Sequence, residues 1–133
     1  MKKYSKQREL ILTSLQNRCD HPTAQMLYME LKEQMPSIGI ATVYRNLLDL
    51  SKQKQINRII IKDGPDRFDG NLVKHIHFAC DKCSTVQDIF LSQTELEEMD
   101  QQMELFAKSI GAQKQDTQIL ITGLCKDCRQ KSI

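Results

Sequence analysis

The 133 residues suffice for one ordinary domain or two small ones, and at 40% hydrophobic content two half-sized cores would each need a metal, a disulfide or a partner subunit. No stretch approaches the roughly 18 to 20 apolar residues that span a membrane, and the charged N-terminal end carries no apolar run, so a cytoplasmic chain is expected. In that compartment disulfides are uncommon, which makes the five cysteines metal ligands or free thiols. The net charge of +2 does not by itself imply nucleic-acid binding, but its distribution is uneven. Residues 1–71 carry 12 Lys+Arg against 8 Asp+Glu, whereas residues 72–133 carry 7 against 9. The first part is therefore the one to face a nucleic acid.

In chain order, Ser5 can cap a first helix carrying Leu10, Ile11, Leu12 and Leu15. Asp20-His21-Pro22 resembles a second helix start, since Pro is favoured at the first helical position. Ala24, Leu27, Tyr28 and Leu31 then form an apolar stripe, and Met35-Pro36 ends that helix. After the Ser37-Ile38-Gly39 turn, Ile40, Val43, Leu47 and Leu50 share one face of a third helix, while Thr42, Tyr44, Arg45, Asn46 and Asp49 lie elsewhere. Helix, turn and helix with such a polar face is a helix-turn-helix pattern. Ile56 to Ile61 is strand-like, Gly64-Pro65 turns, and Asp66 to Asp69 can return as a hairpin, completing a winged helix.

Composition changes near Gly70-Asn71, which divides the chain into a winged-helix DNA-binding domain, 1–70, and a small α/β domain, 71–133. In the second part His75 to Cys80 and Val86 to Leu91 are short strands around the Cys80-Asp81-Lys82-Cys83 turn. A long helix follows with Leu96, Met99, Met103, Phe106 and Ile110 on one face, read as core, and Gly111 stops it. Gln118 to Leu124 is a third strand, so the fold class is α+β.

Cys80 and Cys83 form one C-x-x-C pair and Cys125 and Cys128 another, 41 residues apart. Each pair is expected on a tight turn after a strand, which aims both thiolates at one point. Four soft thiolates in a tetrahedron make a closed, structural Zn²⁺ site. A redox reading would need two thioredoxin-like motifs in a small chain without a βαβ pattern. Cys19 stands alone in a loop as a bystander.

The three histidines suggest a second site. His75 and His77 alternate along a strand and share a face, with Ile76 and Phe78 on the other. Asp88 lies in the next strand. Imidazoles mixed with carboxylates suit Fe²⁺ or Mn²⁺. Read alone, His21 is a helix-start residue and Asp88 a solvated strand residue, and spacing does not recruit His21 or Asp69.

The order of motifs resembles the ferric uptake regulator (Fur) family. The matching pieces are Ser5-Lys6-Gln7-Arg8, His21-Pro22-Thr23-Ala24, Ala41-Thr42-Val43-Tyr44-Arg45-Asn46-Leu47, Arg67-Phe68-Asp69, the run from His75 to Cys83, and Cys125-Lys126-Asp127-Cys128. The resemblance implies a homodimeric, metal-dependent repressor of palindromic operator DNA, with an N-terminal winged helix and a C-terminal dimerisation domain. It also implies a regulatory Fe²⁺ or Mn²⁺ held by His21, Asp69, His75, His77 and Asp88, distinct from the structural zinc. Arg8, Thr42, Tyr44, Arg45 and Asn46 are the implied DNA-facing residues, Arg45 suiting a guanine edge and Lys2, Lys3, Lys6 and Arg8 suiting the phosphate backbone.

Within the family the chain is most similar to the peroxide-sensing (PerR) branch. Both carboxylate positions are aspartate, the step from Asp69 to Cys80 is eleven residues, and no histidine follows His77. That branch implies oxidation of His21 and His75 by iron and hydrogen peroxide. Arg45 departs from it toward the iron-status type, the alternative reading of the same site. Outside the family, a small zinc enzyme using His75, His77 and Asp88 would show hydrolytic activity, and a zinc-stabilised adaptor would ignore operator DNA. The expectation is a regulator and not an enzyme.

Overall fold

In the computed structural model, residues 3–16 and 18–131 are described. Lys2 and the start of the expected first domain fall outside them. The chain divides into two compact units, Met1–Val73 and Lys74–Ile133.

The first unit contains helices α1 (Lys3–Leu15), α2 (Ala24–Gln34) and α3 (Ile40–Lys52), followed by the two-stranded hairpin β1 (Asn57–Ile59) and β2 (Arg67–Asp69). Helix α1 already includes Ser5, so that residue is not its cap. Helix α2 likewise starts later than Pro22 would place it. Thr23 is the cap, its hydroxyl accepting from the Met26 N–H, and His21 just before is in the left-handed region at φ 51°. The apolar stripes behave as their periodicity demands: Ile11, Leu27, Leu31, Val43, Leu47, Leu50 and Phe68 are all fully buried in one cluster. Ile40 departs from its stripe, lying at the exposed start of α3 while Ile38 in the turn takes the buried place. The hairpin pairs Asn57 with Asp69 and Ile59 with Arg67. Gly70 follows at a crowded position, where a Cβ would lie 2.7 Å from the Leu15 carbonyl oxygen.

The second unit is a three-stranded sheet with one long helix and one short one. Strand β3 (Ile76–Cys80) is central, antiparallel to β4 (Val86–Ile89) and parallel to β5 (Leu120–Gly123). Between β4 and β5 runs α4 (Gln93–Lys108), opened by a full Ser92/Glu95 capping box. Gly111 at φ 75° closes it, with the Ala112 N–H reaching back to Ala107. The apolar face of α4 is not core: no residue of the helix is buried, and Phe106 and, just beyond the helix, Ile110 stand exposed. Among the described residues, no helix is long and apolar enough to cross a membrane.

Candidate metal centres and nucleic-acid interface

Strand β3 ends at Cys80, the turn after it carries Cys83, and β5 leads beside β3 to Cys125. The second pair is not on a simple turn: Cys128 sits in a short helix, α5 (Lys126–Lys131), whose Arg129 N–H bonds the Cys125 carbonyl. The four sulfurs lie within 4.8 Å of one another, and Cys83 Sγ is 3.7 Å from Cys125 Sγ. That spacing is far beyond an S–S bond. It matches a tetrahedron of Zn–S bonds of about 2.3 Å, whose edges are about 3.8 Å.

Backbone N–H groups of Cys83 and Cys125 point at Cys80 Sγ, at 3.5 and 3.4 Å. Those two donors bring its thiol down to about 6, whereas burial among the other sulfurs pushes Cys128 up to about 12. Protons alone therefore do not leave four thiolates together at neutral pH. A dication in their midst does, so the residues fit structural zinc.

In the same unit the donors expected on one face converge. His77 is paired in register with Asp88, and His75 immediately precedes β3. His75 Nε2 lies 3.0 Å from His77 Nε2, and Asp88 Oδ1 lies 2.9 Å and 3.2 Å from these two nitrogens. With Asp88 ionised, protons on the two rings do not satisfy all three contacts. If both rings donate to the carboxylate, two N–H groups oppose each other; if one donates, the other presents a lone pair to an anionic oxygen. A single cation accepts all three lone pairs, and ligands at about 2.1 Å and right angles are separated by about 3 Å. The donor set fits a borderline-to-hard divalent ion.

The first unit holds the other two expected donors. His21 Nε2 and Asp69 Oδ2 are 3.9 Å apart, too far for a hydrogen bond, and both side chains are buried. Asp69 is aimed by the Asn71 N–H on its Oδ1 at 2.9 Å, and Asn71 in turn accepts from Asn57 through its carbonyl. His21 is held in a backbone conformation that costs a non-glycine residue on the order of 1–3 kcal/mol. Its carbonyl accepts from Arg67 Nη1 at 3.2 Å, and the next carbonyl, of Pro22, accepts from the Phe68 N–H at 2.9 Å.

Of the residues expected on DNA, Tyr44 and Arg45 are exposed on α3 and Thr42 is half-buried. Asn46 faces the other way. It is fully buried, donating to the Thr42 carbonyl at 3.0 Å and accepting from Arg8 Nε at 3.2 Å. Arg8 also pairs with Asp49 at 3.0 Å. Asn46 and Arg8 thus join α1 to α3 from within, and an amide with both ends engaged inside is not a base-reading group. Sequence spacing had no means of finding this network, since 38 and 41 residues separate the partners. It also missed Arg18, whose fork grips both Asp20 and Glu30. The flanking Asp20 was the one local hint. Cys19 is a free, exposed thiol.

Comparison with known proteins follows the same lines. Residues 2–121 match the ferric uptake regulator family. A peroxide-responsive repressor of Staphylococcus aureus is 32% identical over 126 residues, 94% of this chain and 81% of that protein. The peroxide stress regulator of Campylobacter jejuni superposes with a TM-score of 0.78 at 31% identity, over 95% of this chain and 91% of that one. The iron-containing ferric uptake regulator of Francisella tularensis gives 0.71 at 28% identity, over 93% and 92%.

Proposed function

Since the chain belongs to the ferric uptake regulator family, we propose that it is a homodimeric DNA-binding repressor in which His21, Asp69, His75, His77 and Asp88 share one regulatory Fe²⁺ or Mn²⁺ and through which hydrogen peroxide is sensed. The observation that carries the metal reading is the His75–His77–Asp88 triangle, whose three lone pairs call for one cation. Two further donors, His21 and Asp69, stand ready in the DNA-binding half, so one ion shared by both halves would fix their arrangement. Metal binding then acts as a population shift toward the DNA-competent form.

The peroxide reading draws support from the names of the relatives and from the all-aspartate carboxylates. Iron held by His21, Asp69, His75, His77 and Asp88 would supply the redox chemistry that activates H₂O₂, with one peroxide oxygen going to the ring of His21 or His75 and the other leaving as water. An oxidised imidazole is a poorer ligand, so metal and then operator are released. Manganese supports DNA binding without that chemistry.

Tyr44 and Arg45 on the outward side of α3 suit the major groove, where Arg to guanine discriminates by about 1–3 kcal/mol. The unburied apolar face of α4 supports the homodimer, since a second copy of the chain would cover it, and two winged helices would then address a palindrome. Arg45 favours a second reading, an iron-status repressor using the same ligands.

Mass spectrometry of iron-loaded protein after dilute H₂O₂, paired with a gel shift on palindromic operator, separates the two. A one-oxygen addition on His21 or His75 with loss of the shift is expected. An unmodified protein that still binds DNA would leave iron-status sensing in its place.

A further inference from the structure

His21 is the ligand whose geometry is least explained by regular structure, because it lies between helices with a positive φ. Something outside its own residue must over-determine that conformation. We propose that Arg18, through Asp20 and Glu30, is a positioning residue that presets His21 for the regulatory metal. This rests on the reading of His21 as a ligand.

The grip is unusually complete for a surface cation. Arg18 donates to both carboxylate oxygens of Asp20, at 2.8 and 2.7 Å, and to both of Glu30, at 2.7 and 3.2 Å. Asp20 is the residue before His21, and Glu30 is in α2, so the fork fastens the loop to the helix that follows it. The next two residues are fastened to β2: the His21 carbonyl to Arg67, and the Pro22 carbonyl to Phe68. Three consecutive residues thus have external partners, and β2 also carries Asp69, the carboxylate facing His21.

Glu30 and Asp20 are half-exposed, and such pairs add little to fold stability. Their geometric effect is larger, because a planar guanidinium joins two carboxylates in fixed directions where an ammonium would not. Partners that orient metal ligands typically alter affinity by about 10- to 100-fold when removed.

The test is a Mn²⁺ titration of the full-length, zinc-loaded protein by electron paramagnetic resonance, with amide exchange of residues 19–23 and metal-free Tm as parallel readouts. R18A is expected to weaken Mn²⁺ binding about tenfold or more and to speed exchange in the loop, with zinc content and metal-free Tm nearly unchanged. R18K should fail to rescue it, and Glu30→Gln should give a smaller loss because Asp20 keeps one arm. H21A fixes the reference. If H21A abolishes tight Mn²⁺ binding and R18A leaves it intact, the positioning role is wrong and the ligand reading stands. If H21A itself binds normally, the ligand reading falls and this inference with it. A large drop in metal-free Tm in R18A, with binding lost in proportion, would assign Arg18 to the fold and overturn the proposal.

Discussion

The two units solve the problem of small size in opposite ways. In the first, three helices and a hairpin enclose a cluster whose members, from Ile11 to Phe68, are 0–3% exposed. In the second, the buried apolar residues are 3–9% exposed, three of them are cysteines, and the longest helix buries nothing. Hydrophobic burial holds the first unit. The other unit relies on thiolate coordination and, in our reading, on a second copy of itself.

Metal removal should therefore separate them most sharply. Zinc-site binding energy is folding energy, on the order of 10 kcal/mol for small zinc domains. Cys125→Ser, or a strong chelator, is expected to abolish amide protection throughout β3, β4 and β5 while α1 to α3 keep theirs. Hydrogen exchange read by mass spectrometry checks this, and equal loss in both units would contradict the division.

Next in size is a pair of phenylalanine truncations. Phe68→Ala removes a fully buried ring from the first unit and should cost about 3–5 kcal/mol at any protein concentration. Phe106→Ala removes an exposed one from α4. Its effect should appear as weaker association, vanishing in dilute solution where the chain is already monomeric. Sedimentation and thermal melts over a concentration series distinguish the two.

Asn46 sharpens the comparison inside the first unit. Asn46→Ala removes the acceptor of Arg8 Nε and the side-chain donor to the Thr42 carbonyl and leaves a buried gap between α1 and α3, a loss of about 1–3 kcal/mol that a thermal melt will show. Tyr44→Ala on the exposed side should leave the melt unchanged and weaken operator binding. Equal melts for both variants would return Asn46 to the DNA-facing set.

What was legible in the sequence follows local period and spacing. The stripes of α2 and α3, the wing, the β3 and β4 strands and both cysteine pairs could be read because side-chain direction repeats at 3.6 or 2 residues and zinc ligands recur at fixed intervals. His75 and His77 were readable for the same reason. His21 and Asp69 entered only through the family resemblance, since 48 residues separate them and tertiary packing alone brings them to 3.9 Å. The periodicity of α4 picked out one apolar face, but the reading of that face as core was wrong, because the stripe has no intrachain partner deep enough to bury any residue of the helix. Asn46 was misplaced because a helix's polar residues need not all face solvent: one of them can satisfy an arginine from another helix.

The smallest effect concerns the start of α4, where the second unit does use local backbone chemistry. The Ser92 hydroxyl accepts from the Glu95 N–H at 3.1 Å, and the Glu95 carboxylate accepts from the Ser92 N–H at 2.9 Å. That backbone bond holds Glu95 below the usual carboxylate range. A folded value below the unfolded one, about 4.3, means that the contribution is complete above that pH and disappears as pH falls through the folded value. Ser92→Ala should cost about 1 kcal/mol near neutrality. Glu95→Gln removes the charge while keeping an acceptor, so it should flatten this part of the acid limb by losing, at pH 7, the charge-dependent share of the contribution. Melts of the zinc-loaded protein cannot isolate this, because acid also strips thiolate ligands. The cleaner measurement is Glu95 titration by carboxyl NMR, restricted to pH values at which the zinc remains bound. A value at or above that of an unstructured glutamate would show that the cap is not formed in solution, and would extend the marginal character of α4 from its uncovered face to its first turn.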